Sequence, residues 1–454
     1  MQVTNVGHAT IVIESAGVRL IVDPWLTESL DRFWEHYPPL REETIPARVD
    51  AVLLSHHHYD HCHVPSLDRL NRDAIIIYPA TDPLRTVVNP GAGAFVLPWL
   101  LRRLGFRYVK AVRPLEKLQF GGVSVLALPS AVSFPEMTYV VSDSNSSLLV
   151  AGDSMLHPTT LEWLEEKDNH IDLAILPIHS ISTDACFRNR SEKDDIERQT
   201  ARAEKTFKEY LTAFKGSAVI PGAFGWRIAK PRTPLDPECD WMNRRLFPLT
   251  VLDGYRLGTE FGTEMHLWGP GDVMELGNGH GLQGMGDSWD NLEYFKHSCA
   301  EFELEDPETA MPPFDPTKIG EPVSKSEHQE VLDELEQRLA TTLAATAYFM
   351  TSIELGRRTS LRITGYDDVQ WKIDFSKGNC DIQRSDGPPE ADSYWIAERT
   401  FLRFMHSDLP YGHSWGYWVG NSRMVDSLFT EPRYFMRYVE NLLQSSVGLS
   451  RYGY

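Results

Sequence analysis

Through residues 1–180, short runs of aliphatic and β-branched residues alternate with polar turns, which predicts strands of a layered fold with helices between them. Ile11 to Glu14 and Val18 to Val22 flank Ala16-Gly17 as the arms of a hairpin do. Ala51 to Ser55 is a short apolar strand. Ile75 to Tyr78, Val123 to Leu128, Thr138 to Val141, Ser147 to Ala151 and Leu173 to Leu176 read the same way. Several runs stop at an ionisable residue: Asp23, His56, Asp153 and His179. In layered α/β folds, functional groups gather on strand-end loops held by a rigid sheet.

Further along, Ser191 to Lys215 has mixed charges and spaced apolar positions and predicts a helix. A strand at Ala218 to Ile220 then runs into the tight loop Pro221 to Trp226. Residues 277–324 are rich in Gly, Pro, Asp and Glu and lack periodicity, so they read as a connection. Ser326 to Ile353 predicts a long helix or a helix pair. Leu361 to Ile363, Val369 to Phe375 and Cys380 to Gln383 predict a small antiparallel meander. Two helices follow, at Glu398 to His406 and Arg433 to Gln444. The expected division is a catalytic unit over 1–300, a linker over 301–324 and an α+β unit over 325–454.

Charge narrows the partners. A formal charge of −20 argues against a general nucleic-acid binder, because phosphate neutralisation needs clustered Lys and Arg, and it disfavours docking on anionic lipid. No apolar run approaches the ~20 residues of a membrane span, and the N-terminus lacks a charged segment followed by an apolar one. The five cysteines are scattered with no C-x-x-C pair, so these residues encode no zinc ribbon, Rieske centre or cysteine-ligated cluster. The expected location is the cytoplasm.

The chemistry concentrates at Ser55 to His61. His56, His58, Asp60 and His61 place four ligand-type side chains within six residues, directly after an apolar strand. Imidazole suits zinc, copper, nickel and iron, and carboxylates compensate charge and bridge ions. The bland alternative is a polar, fortuitously His-rich loop. His57 and His63 read as non-ligands.

The pattern His56-x-His58-x-Asp60-His61 resembles the signature of the metallo-β-lactamase superfamily. Val6-Gly7-His8-Ala9-Thr10 and Leu20-Ile21-Val22-Asp23-Pro24-Trp25 resemble its subgroup of acyl-phosphatidylethanolamine phospholipases D and sugar-acid lactonases. The resemblance covers about residues 1–230. It implies an α/β fold, the αββα sandwich, with two metal ions at one edge of the sheets and an additional C-terminal α+β region. It also implies a bridging ligand at Asp153, within Leu149 to Ser154, and a late histidine ligand that His179 supplies by context.

One position departs from the family. A histidine is expected on the loop before Asp153, yet none occurs between His63 and His157, and that loop carries Phe134-Pro135-Glu136-Met137. Glu136 is the carboxylate able to take the place. An anionic oxygen ligand moves a site from zinc toward iron. The alternative is a solvated Glu136 and one metal fewer. With Glu136, the implied set is His56, His58, Glu136 and Asp153 on one ion, and Asp60, His61, Asp153 and His179 on the other. That set resembles the diiron β-hydroxylases of chloramphenicol biosynthesis. Phe134 to Met137, Gly222 to Trp226 and Asp287-Ser288-Trp289-Asp290 resemble the CMP-N-acetylneuraminate hydroxylase family.

The resemblance thus implies an O2-dependent diiron monooxygenase acting on a small or nucleotide-linked substrate, with electrons from a ferredoxin or reductase. The alternative is a dinuclear zinc or manganese hydrolase of the lactonase or phosphodiesterase type, and a third reading is a binding protein with a degenerate site. His8 and Asp23 are expected behind the ligands, with packing as the bland role for His8. Trp226 and Arg227 are expected to hold substrate, or else form a surface rim. The C-terminal unit resembles the sterol-carrier-type fold through Val369 to Phe375.

Overall fold

The computed structural model describes residues 1–30, 34–56, 58, 60–80, 97–132, 135–166, 169–178, 192–222, 225–228, 249–277, 281–283, 323–340, 358–374, 381–390, 393–399, 402 and 416–419. The strands predicted through residue 220 fall in two facing sheets, which also take in Gln2–Gly7, Tyr108–Val112, Lys117–Phe120, Val273–Glu275 and Gly281–Gln283. The first has eight strands in the order Gly281–Gln283, Val273–Glu275, Gln2–Gly7, Thr10–Ser15, Val18–Val22, Ala51–Leu53, Ile75–Pro79 and Tyr108–Val112. The second has six: Ala218–Gly222, Leu173–Pro177, Ser147–Val150, Met137–Ser142, Val123–Pro129 and Lys117–Phe120.

Period-two alternation sorts each strand's side chains between two faces, and the packing follows it. Ile11, Ile13, Leu20, Val22, Ala51 and Leu53 from the first sheet meet Val125, Ala127, Tyr139, Val141, Val150 and Ile175 from the second in one buried cluster. Their sequence neighbours Val12, Ile21, Val52 and Ile76 point the other way, onto Leu67 and Leu101 of the helices Val64–Arg69 and Leu97–Arg103. On the far side Val140, Leu149, Ala174 and Val219 pack against Phe207, Tyr210 and Leu211 of the helix Glu192–Ala213. Helices therefore cover both outer faces, and the architecture is the αββα sandwich with an additional C-terminal region.

The hairpin at Ala16-Gly17 forms as read, with both residues at positive φ. The first sheet also recruits Val273–Glu275, whose Glu275 pairs with Gln2. This pairing lies beyond the stretch in which the metallo-β-lactamase resemblance was carried.

In the C-terminal region, Arg358–Thr364, Val369–Asp374 and Asp381–Arg384 form the expected antiparallel meander. A strand at Ser393–Ala397, absent from the reading of the sequence, pairs in parallel with Arg358–Thr364. The helix Lys325–Arg338 starts at a capping box made by Ser324 and Glu327. Residues 341–357, most of the helix expected at 398–406, and the one at 433–444 lie outside the described residues, as does most of the 277–324 connection.

Candidate metal centre

The loops that leave the two facing sheets at one edge carry the ionisable groups. Asp23 follows the strand Val18–Val22, Ser55 and His56 follow Ala51–Leu53, Glu136 precedes Met137–Ser142, and Asp153 follows Ser147–Val150. Two hydrogen bonds tie the sheets together here: Met137 N donates to Ser55 O at 3.0 Å, and Tyr139 Oη donates to Leu54 O at 2.8 Å. Gly152, at φ +56, lets the chain turn beside the site. A Cβ there would stand 3.2 Å from Ser55 Oγ and 3.4 Å from Asp23 Oδ2.

Asp23 organises the cluster. It is fully buried and accepts from Ser55 N and Ser55 Oγ, both at 2.6 Å, and meets His61 Nδ1 at 2.9 Å. With Nδ1 facing that carboxylate, the Nε2 of His61 is turned toward Asp153 Oδ2 at 3.3 Å and Asp60 Oδ2 at 3.5 Å. A carboxylate behind an imidazole fixes its tautomer and raises its basicity, the usual arrangement behind a metal-bound histidine. Ser55 Oγ also lies 2.9 Å from His56 Nδ1, while His56 Nε2 lies 2.8 Å from His58 Nδ1. The backbone helps: His61 N and Cys62 N both donate to His58 O, closing the tight turn that gathers the histidines.

Two groups of three donors result, each with its ligand atoms within 4.8 Å of one another: His56, His61 and Asp153 in one, and His8, Asp60 and His61 in the other. His61 belongs to both. Its Nε2, Asp153 Oδ1 and both carboxylate oxygens of Glu136 are buried without a hydrogen-bond partner. Buried polar atoms are rarely left so unless something else binds them. The residues present therefore fit a cationic group.

Electrostatics agrees. Burial pushes the His61 imidazolium down, but Asp60, Asp153 and Asp23 outweigh it and hold His61 well above the ordinary 6.5. Burial raises Asp60 and Asp153, yet the neighbouring His61 keeps both below the usual carboxylate range. Burial lowers His58. Glu136 is pushed up to about 8, chiefly by burial, with Asp153 and Asp23 adding to the rise. Three carboxylates thus hold a proton on His61 where a metal ion would discharge the same field.

The structure brings together His56, His58, Asp60, His61, Glu136 and Asp153, with Asp23 behind them. It places Glu136 Oε1 3.3 Å from His56 Nδ1, at the ring nitrogen opposite the one that meets His58. His179 lies outside the described residues, although the strand that leads to it, Leu173–Pro177, ends at this edge. His8, expected behind the ligands, meets one of them, its Nε2 3.1 Å from Asp60 Oδ2. Arg227 is engaged by Glu35 at 2.7 Å, with its guanidinium 4.1 Å over the ring of Tyr37, and Trp226 is buried. The Arg227 side chain braces the strand Trp226–Ile228 against Trp34–His36.

Two participants escaped the sequence reading. Ser55 links Asp23 to His56, a role its position directly before the histidine cluster could have suggested. His36 stacks on Trp25 with ring centres 3.9 Å apart and meets Trp25 O at 3.2 Å. No local pattern marks it.

Comparisons with known proteins bear on this centre. Residues 2–221 match the family described as beta-lactamase superfamily domain. The chain is 29% identical over 194 residues to the 4-amino-L-phenylalanyl-(CmlP-peptidyl-carrier-protein) 3-hydroxylase of Streptomyces venezuelae, across 40% of this chain and 34% of that protein. It is 27% identical over 190 residues to a metal-dependent hydrolase of Pyrobaculum arsenaticum, across 40% of this chain and 74% of that one. It is 26% identical over 269 residues to a protein of Mycolicibacterium smegmatis described as a Rieske 2Fe-2S iron-sulfur protein, across 54% and 46%. The chain therefore spans only about a third of the hydroxylase and under half of the Rieske protein. Among solved structures, CmlA, a diiron beta-hydroxylase from Streptomyces venezuelae, aligns with a TM-score of 0.42 at 22% identity, over 61% of this chain and 54% of that chain. These relatives include both hydroxylase and hydrolase. Most strands of the two facing sheets and a strand-end cluster of histidines and carboxylates that could hold a cation thus lie within residues 2–221, the stretch that matches the beta-lactamase superfamily domain.

Proposed function

We propose that this chain is an O2-dependent diiron oxygenase that hydroxylates a small or nucleotide-linked organic substrate. The observation that carries the reading is Glu136: a buried carboxylate 3.3 Å from His56 Nδ1, on a chain with no histidine between His63 and His157. His56, His58, Glu136 and Asp153 would hold one ion, and Asp60, His61, Asp153 and His179 the other. The added anionic oxygen favours a harder ion than zinc. Two irons bound there would supply the reduction of O2 that hydroxylation needs.

The chain's own groups do the rest. Asp23 and Ser55 hold His61 and His56 in fixed tautomers, which preorganises the donors. Glu136 itself is buried at the sheet edge, away from solvent. Trp226 and Arg227 stand on the strand Trp226–Ile228, where we place the substrate's entry. The hydroxylase relative supports this reading, and the Rieske relative supports an iron–sulfur protein, a ferredoxin or reductase, as electron donor.

A second reading, a dinuclear zinc or manganese hydrolase, is favoured by the hydrolase relative, of which the match spans 74%. Metal analysis after anaerobic purification separates the two. Two irons per chain, with near-ultraviolet absorption that responds to reduction and to O2, are expected. Zinc together with ester hydrolysis indifferent to O2 removal would overturn the oxygenase. The variant Glu136→His is expected to shift metal preference toward zinc and abolish O2 consumption. Unchanged iron content and turnover would place Glu136 outside the centre.

A further inference from the structure

His8 lies beside the metal centre, in contact with Asp60, and four features of its setting point the same way. First, its Nε2 is 3.1 Å from Asp60 Oδ2 and belongs to a three-donor group with Asp60 and His61 as compact as the group around His56. Second, its backbone sits at φ 46, in the left-handed region that non-glycine residues rarely occupy. Asp23, the residue that orients His61, is held the same way at φ 44. Such strain concentrates where a fold must aim a side chain.

Third, the backbone of Gly225 is laid directly on His8. A Cβ on that glycine would stand 2.6 Å from His8 Cα and 2.8 Å from His8 N, so only glycine permits the contact. Tyr37 N donates to Gly225 O at 2.9 Å and fastens the cover. His8 is therefore clamped from above and strained from within, which leaves its ring little freedom to turn away.

Fourth, His8 Nδ1 is buried without a hydrogen-bond partner, and so is Asn5 Oδ1. Both residues line one small cavity of about 30 Å³, and Asn5 Nδ2 is directed at Trp268 O, 3.4 Å away, which leaves the Asn5 oxygen as an acceptor. That volume accommodates a water, which needs roughly 10–15 Å³. A histidine that binds metal through Nε2 must keep its proton on Nδ1 and give it to an acceptor. Asn5 provides one within the same cavity.

We propose that His8 is a ligand of the second ion, its Nε2 joining Asp60 and His61, and that Asn5 sets its tautomer through the cavity behind it. The inference rests on the dinuclear reading above. Its rival is that His8 merely donates a hydrogen bond to Asp60 and so positions that carboxylate.

The test uses the full chain, freed of metal by a chelator and titrated with Co2+. Bound cobalt is counted by mass spectrometry of inorganic elements, and paramagnetically shifted imidazole N–H protons are counted by NMR. Wild type is expected to bind two Co2+ with a His8 proton among the shifted set. Both His8→Ala and His8→Gln are expected to hold one Co2+ tightly and lose the second by more than about a hundredfold in affinity, beyond the 10–100-fold of a lost outer partner. Circular dichroism reports whether each variant folds, and the glutamine retains bulk and a donor. If His8→Gln keeps two tightly bound Co2+, or if wild type shows no shifted His8 proton, His8 is a positioning residue and the proposal fails. If wild type binds no Co2+ or only one, the dinuclear reading itself fails, and this inference with it.

Discussion

Asp23 makes three contacts from one fully buried carboxylate, and two of them, through Ser55 and His61, reach the donor cluster. An amide in its place would keep one acceptor and lose the negative charge behind His61. Asp23→Asn is therefore expected to lower metal affinity by about 10–100-fold, the range measured for outer partners of metal-bound histidines. Competition against a chromophoric chelator measures it. Unchanged affinity would mean that His61 does not bind metal through Nε2. Glu136 makes the complementary case. Burial raises it to about 8, so without an ion it carries a proton near neutral pH, whereas a bound cation would draw it to the carboxylate form.

Among the elements, the two sheets are coupled at the site by the strand Met137–Ser142. Its Tyr139 is buried and reaches across to Leu54 O at the end of Ala51–Leu53, the strand that launches the histidine cluster. Removing the hydroxyl leaves a buried carbonyl without its donor. Tyr139→Phe is expected to cost about 1–2 kcal/mol of stability, read from the shift in urea midpoint at constant slope. The ring stays packed, so the fold survives. A loss below a few tenths of a kcal/mol would show that the bond does not tie the sheets. The helix Lys325–Arg338 is tied to the C-terminal sheet region by a buried pair, His328 with Glu398, while Glu398 also accepts from Tyr366 N at 2.6 Å.

For the whole molecule, buried histidines set an acid limit. Burial, with His8 adding to it, holds His36 down at about 3 against an ordinary 6.5. Between those values the unfolded chain binds a proton that the folded chain refuses. Stability from this residue is therefore complete above 6.5 and is lost as pH falls toward 3. His36→Gln keeps a donor for Trp25 O and cannot titrate. Its stability relative to wild type is expected to improve steadily as pH drops from 7 to 4 in urea unfolding. A constant difference across that range would show that His36 titrates alike in both states. No helix among the described residues is long and apolar enough to cross a membrane.

The sequence by itself determined most strands of both sheets, the hairpin at Ala16-Gly17, and the cluster from His56 to His61. Period-two alternation and turn residues are local properties, and four donors within six positions are close whatever the fold does. Tertiary structure decided the rest, because long-range pairing leaves no local mark. Val273–Glu275 joins a sheet edge next to Gln2–Gly7, and Ser393–Ala397 runs parallel to Arg358–Thr364, both by contacts distant in sequence. The same holds at the site. Glu136 was legible only as a substitution for an absent histidine, and its meeting with His56 at 3.3 Å required the two sheets to face. His8 read as a residue behind the ligands. The fold set it beside Asp60 and under Gly225, since only packing can hold a histidine in a left-handed backbone and aim its ring.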